Sequence, residues 1–230
     1  MQSSVDFQYK IVFSRRRTLG IIVSPDNGVV VKAPNRMPLG TIRRFVSDKS
    51  KWINRNLEQF KSLKRIDNIE GYSDGDTIIL FGRDHKLRLA PAAGYFVRLG
   101  DNNTIEAGFR NDRNPVLIKA MIEDWFKVIA RQKLTQKFHE IISKYSDYRF
   151  SPAGFVVRKM KKRWGSCSSK GKIAISYDLV RLDVIFAEYV IIHELCHLKH
   201  HNHSSDYYNL LSEVYPDWKK IRKELQQFIR

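Results

Sequence analysis

Five of the seven histidines lie between residues 193 and 203. The group opens on His193-Glu194-Leu195-Cys196-His197, an H-E-x-x-H pattern preceded by the apolar run Tyr189-Val190-Ile191-Ile192. On a helix, positions i and i+4 share one face and lie about one turn apart. Two imidazoles so placed can hold one Zn²⁺ through Zn–N bonds of about 2.0–2.1 Å. Glu194 points about 100° round the helix from His193, beside such an ion rather than on it. A carboxylate there can act as general base towards a metal-activated water.

A catalytic zinc site needs three protein ligands and one open position. His200 and His201 continue the same helical pattern, and His201 would sit about 6 Å above His197 along the axis. His203 lies past the helix end expected near Asn202 and reaches the ion from a separate segment, so it is the expected third ligand. Glu213 is the acidic alternative. His200 and His201 read as solvated residues at a helix C-terminus, where cations suit the dipole. Asp206, Glu213 and Glu188 are candidates to accept from a ligand imidazole. Cys196 reads as packing. So do Tyr207 and Tyr208, with a hydroxyl in the site as the alternative.

A second group precedes this helix: Arg163-Trp164-Gly165-Ser166-Cys167. Arg163 and Ser166 are candidate substrate-binding residues, able to face a cleft and hold a carbonyl or an oxyanion. The structural alternative makes Trp164 a core anchor, Gly165 and Gly171 turn residues, and Cys167 a small buried filler.

These side chains need elements to position them. Apolar alternation and turn residues predict strands at 7–13, 19–23 and 29–31, with a turn at Pro25-Asp26-Asn27-Gly28. One helix is expected over 39–63, from Ile42, Phe45, Val46, Lys49, Trp52, Ile53 and Phe60 at helical spacing. Strands return at 77–80, 86–89, 95–99 and 104–106. A long helix is expected over 115–144, a strand pair at 155–164 and 172–177, and a loop at 165–171. Asp183 is the expected N-cap of a helix running through His200, with further helices at 205–214 and 217–229. The fold class is α+β. The expected domains are a β-rich module with one helix at 1–110 and a metal-site domain at 111–230.

Composition bounds the partners. The 230 residues carry 41 Lys and Arg against 24 Asp and Glu, a net charge of +17, which suits acidic partners such as nucleic acid, nucleotides or acidic peptides. Both halves are similarly basic, without the charged tail of a dedicated nucleic-acid arm. Basic runs recur at Arg15-Arg16-Arg17, Arg43-Arg44 and around Lys161-Lys162-Arg163. Two cysteines make no disulfide framework, the opening MQSSVDFQYK has no apolar signal core, and no apolar run spans a bilayer. A cytoplasmic protein with no membrane partner is expected.

The stretches Lys162-Arg163-Trp164-Gly165-Ser166-Cys167-Ser168, Gly171-Lys172-Ile173, His193-Glu194-Leu195-Cys196-His197-Leu198 and Asn202-His203-Ser204 together resemble the YgjP-like metallopeptidase family. That family is similar to the SprT-like and WLM groups among the zincins. Pro34 and the later Trp52-Ile53 also resemble its N-terminal half. The resemblance implies a compact zincin-like domain after a β-rich module, with His193, His197 and His203 as zinc ligands and Glu194 as general base. It also implies an edge strand that binds extended substrate by strand addition. Metzincins share the ligand spacing but want Gly where this chain has His200. They also need a Met-turn, and no methionine follows Met160.

The expected function is a zinc metallopeptidase acting on peptides or proteins, nucleic-acid-associated proteins among them. Two alternatives stay open. The same site could hydrolyse a nucleotide phosphoanhydride, although there is no P-loop or carboxylate cluster for Mg²⁺. Or the chain could be a basic nucleic-acid-binding module with a structural zinc, although such sites are usually closed by four ligands.

Overall fold

The computed structural model describes residues 7–24, 28–61, 64–65, 71–110 and 113–229. The chain divides into two compact units, Met1–Lys64 and Arg65–Arg230.

In the first unit, β1 (Tyr9–Ser14) runs parallel to β3 (Gly28–Pro34), and β2 (Gly20–Ser24) pairs antiparallel on its other side. Alternation along β3 turns Val29, Val31 and Ala33 into a core. Three residues of the turn expected at 25–28 lie outside the described residues, and Gly28 takes a φ of 60°. The single helix expected from residue 39 is two helices, α1 (Leu39–Asp48) and α2 (Ser50–Lys61). Continuing one helix would carry Lys49 onto the face that buries Ile42, Val46 and Ile53. The break at Lys49 leaves that side chain exposed.

The two-residue β4 (Lys64–Arg65) straddles the division, and the second unit then holds a four-stranded sheet in the order β5-β6-β8-β7. Its strands are β5 (Thr77–Leu80), β6 (Arg83–Pro91), β7 (Phe96–Leu99) and β8 (Thr104–Phe109). Ile78, Leu80, Leu87 and Ile105 share one core with the following helix. The compact division therefore falls at residue 64 and not near residue 110. That helix, α3 (Pro115–Lys144), starts where expected. Asn114 caps it by accepting from the N–H groups of Val116 and Leu117, and Pro115 fills the first turn, where no N–H is needed. Its buried stripe runs Ile118, Ile122, Phe126, Ala130, Leu134, Phe138, Ile141.

A partly buried ion pair ties these parts together. Arg181 donates two bonds to Glu123 of α3 at 2.7 and 2.8 Å, and Tyr72 donates to the same carboxylate at 2.9 Å. The guanidinium also lies 4.0 Å from the Phe126 ring centre.

The second sheet has three strands, not the expected pair. β11 (Lys172–Ser176) is central, with Ile173, Ala174, Ile175 and Ser176 all buried. β9 (Gly154–Arg158) pairs parallel to it. β10 (Gly165–Cys167) pairs antiparallel on the other side, within the segment expected to be all loop. A tight turn closes this hairpin: Gly171 N–H donates to Ser168 O at 2.9 Å, and Gly171 takes a φ of 72°.

Behind the sheet runs α4 (Val184–Cys196), capped by Asp183, whose carboxylate accepts from Ile185 N–H at 3.0 Å. Nine of its residues, from Phe186 to Cys196, are buried, the pattern of a helix packed on all sides. α5 (Ser205–Val214), α6 (Trp218–Leu225) and the short β12 (Phe228–Ile229) complete the unit. The α+β class expected from the sequence holds. No helix among the described residues is long and apolar enough to cross a membrane.

Candidate metal centre

The H-E-x-x-H pattern occupies the last turn of α4. The helix ends at Cys196, one turn earlier than expected, and His197 is its C-cap. The N–H groups of Lys199 and His200 both turn back to Cys196 O at 3.1 Å. That tightened turn sends the chain round so that His203 returns to His193 and His197. Ser204 then caps α5.

Nitrogens of His193, His197 and His203 all lie within 4.8 Å of one another. Hydrogen bonds fix which nitrogens are available. His197 Nδ1 is 3.0 Å from the His200 carbonyl, which can only accept, so Nδ1 carries the proton and Nε2 keeps its lone pair. The Tyr207 hydroxyl donates to the His193 carbonyl at 3.1 Å and lies 2.6 Å from His193 Nδ1. Its single proton is then spent, so it accepts from Nδ1–H and again leaves Nε2 bare. The Nε2 atoms of His193 and His203 are 3.3 Å apart. Two nitrogens on a tetrahedral zinc, each about 2.0–2.1 Å from the ion, would be about 3.3 Å apart. The donor set therefore fits a tetrahedral divalent cation.

Charge agrees with geometry. Burial, with the neighbouring His197, His203 and Arg222, pulls the His193 pKa down to about 3. Burial also lowers His197, opposed by its bond to the His200 carbonyl. Both imidazoles are neutral at ordinary pH, the form that binds metal.

Glu194 is only 5% exposed. Burial pushes its carboxyl up to about 7, against the opposing pull of Arg163 and of a hydrogen bond from the Cys167 backbone. It sits hard against β10: a Cβ on Gly165 would fall 2.6 Å from Glu194 Oε1. Gly165 is thus a close-approach residue within a strand, and the positive-φ turn glycine is Gly171.

The other expected residues divide. Arg163 borders a cavity of about 460 Å³ shared with His193 and Glu194, whereas Ser166, on β10, pairs with Ala174 of β11 and does not line that cavity. Glu213, the rival third ligand, instead accepts from Tyr148 at 3.0 Å, and Glu188 accepts from Lys137 at 3.2 Å. Asp206 is exposed in the first turn of α5. The groups that orient the imidazoles are the Tyr207 hydroxyl and the His200 carbonyl. Tyr207 is fully buried on the α5 face that carries Leu211 and Val214. That spacing signals an inward-facing tyrosine, and a buried hydroxyl needs a partner. Arg222, from α6, was not singled out by its sequence context; it also borders the cavity.

Comparison with known proteins bears on this site. The crystal structure of the metallopeptidase zymogen jannalysin from Methanocaldococcus jannaschii aligns at 23% identity and a TM-score of 0.35, over 41% of this chain and 94% of that one. The zymogen abylysin from Pyrococcus abyssi aligns at 22% identity and a TM-score of 0.35, over 42% and 99%. No curated relative matches the chain. The sequence model of the YgjP-like metallopeptidase domain matches residues 17–228, nearly the whole chain. With that match and a three-histidine group at the end of a buried helix, the chain belongs to the YgjP-like metallopeptidase family.

Proposed function

We propose that the chain is a zinc-dependent peptidase in which His193, His197 and His203 hold the ion and Glu194 is the general base. The observation that carries this reading is the convergence of three imidazoles, two with Nε2 freed by named partners, beside a carboxylate that is almost fully buried. A bound zinc would supply Lewis-acid polarisation of the scissile carbonyl and acidify a water to about pKa 7.

The remaining work falls to side chains of this protein. Glu194 takes the proton from the attacking water and returns it to the leaving amine. The Cys167 backbone and the wall made by Gly165 hold that carboxylate in place. Tyr207 and the His200 carbonyl keep the imidazoles in one tautomer and orientation. Among the described residues β10 pairs with β11 on one side only, so an extended peptide can add along its other edge. Arg163 and Ser166 are the candidates to steady the substrate there. The net charge of +17 suits acidic polypeptides, including proteins bound to nucleic acid.

Peptide hydrolysis by the zinc-loaded protein tests the reading. Glu194→Gln is expected to lower kcat by about a hundred- to ten-thousand-fold while zinc stays bound. Full activity in that variant would contradict the assigned role.

A further inference from the structure

The cavity beside Glu194 has a composition that the hydrolytic chemistry does not require. At about 460 Å³ it is in the size range of specific ligand sites. Trp164, Tyr189, Val190 and Leu225 give it aromatic and aliphatic walls. Three cations border it: Lys162 and Arg163, just before β10, and Arg222 on α6. Glu194 is the one carboxylate among its lining residues. None of the three cations forms an ion pair among the described residues. The charge of Arg163 acts on Glu194, whereas that of Arg222 acts on Tyr189 and His193. Arg222 borders the cavity from a different element than Lys162 and Arg163.

All three are exposed at its rim, where charges of one sign beside a cleft raise the local positive potential. A neutral group entering gains nothing from that potential, and a cationic one is repelled. A carboxylate would accept from the planar guanidinium fork, and its short apolar stem would lie on the aromatic wall. We propose that this cavity takes a carboxylate of the substrate next to the scissile bond, with Arg222 as the specificity-determining residue. The carboxylate is that of an Asp or Glu side chain or of the peptide's own C-terminus. The inference rests on the peptidase reading for its substrate class, but the pocket can be tested without turnover.

Two arms test it. In the first, internally quenched peptides carry Glu, Gln or Lys at each position flanking the bond, as C-terminal amides and as free acids. The wild type is expected to favour Glu over Gln by about tenfold or more in kcat/KM, the size of one charge-assisted hydrogen bond. Arg222→Ala is expected to bring that ratio close to one, and Arg222→Glu to turn it towards Lys. A gain confined to free acids would assign the carboxylate to the chain end; a gain in amides assigns it to a side chain. Equal cleavage of Glu and Gln peptides by the wild type, with no gain from a free C-terminus, would overturn the proposal, as would an unchanged ratio in Arg222→Ala. Zinc content and circular dichroism check that each variant is folded.

In the second arm, zinc-loaded Glu194→Gln protein binds fluorescent Glu and Gln peptides. Tighter binding of the Glu peptide, lost on adding Arg222→Ala, is expected. That difference without any hydrolysis by the wild type would sink the peptidase reading and leave the pocket. Hydrolysis with no difference in cleavage or binding would do the reverse. Inorganic pyrophosphate displacing the peptide at concentrations far below the peptide's own Kd would make this a phosphate site and overturn the proposal.

Discussion

The Tyr207 hydroxyl carries more of the site than its size suggests. It is buried, it bonds both the ring and the carbonyl of His193, and its ring stacks on His197 at 4.6 Å between centres. Burial raises its pKa well above the usual phenol range, so it stays protonated. Removing the oxygen frees the His193 ring to take either tautomer. Tyr207→Phe is therefore expected to weaken zinc about ten- to a hundredfold, measured by competition with a chelator, while the fold stands on the remaining ring. His193 and His197 were legible in the sequence because i, i+4 spacing is itself the geometry of the site. Tyr207 was legible only as an alternative to packing, shared with Tyr208, because a tyrosine on an apolar helix face looks the same whether its hydroxyl finds solvent or an imidazole. Glu213 was a reasonable rival for the same reason: sequence distance does not say that Tyr148 already holds it.

At the scale of elements, the site is made where α4 ends and β10 begins to pair. Periodicity located α3, β5 and α5 to the residue, since each has clean signals: Asn114-Pro115 at one start and Ser204 at another. It ran α4 one turn too far, because Leu198, Lys199 and His200 are all acceptable helix residues. The stop comes from the turn that lets His203 close on His193. It also missed β10, three residues long and rich in glycine and serine, which owe their strand form to Ile173, Ala174 and Ile175 opposite. The contact between these two elements can be probed at Gly165. A methyl there would press on Glu194 Oε1 and on Val190 Cγ1 at 2.6 and 2.8 Å. Gly165→Ala is expected to cost about 1–3 kcal/mol of stability through overpacking and to lower kcat more than it raises KM, with zinc retained. Unchanged kcat would mean that Glu194 does not depend on that wall.

At the scale of the molecule, each of the two units has its own core. The change from strand to helix patterning near residue 110 is real, but strands and helices on either side of it share one core. Alternating strands followed by long helices look like two domains in sequence whenever a sheet packs on a helix from the next segment. Arg181, Glu123 and Tyr72 make that sharing specific, joining residues more than a hundred positions apart. Arg181 is 9% exposed in its side chain, so stripping its partner leaves a nearly buried charge. Glu123→Leu is expected to destabilise the second unit by about 3–5 kcal/mol, read from chemical denaturation. A change below 1 kcal/mol would show that water replaces the carboxylate at little cost.

The central claim is that three histidines hold one zinc and that Glu194 does chemistry without holding it. Metal content per chain tests this directly, on wild type, Glu194→Gln and His203→Ala purified side by side with zinc supplied. The account predicts close to one zinc in the first two proteins and a sharp loss in the third. Zinc retained by folded His203→Ala, or lost from folded Glu194→Gln, would contradict it.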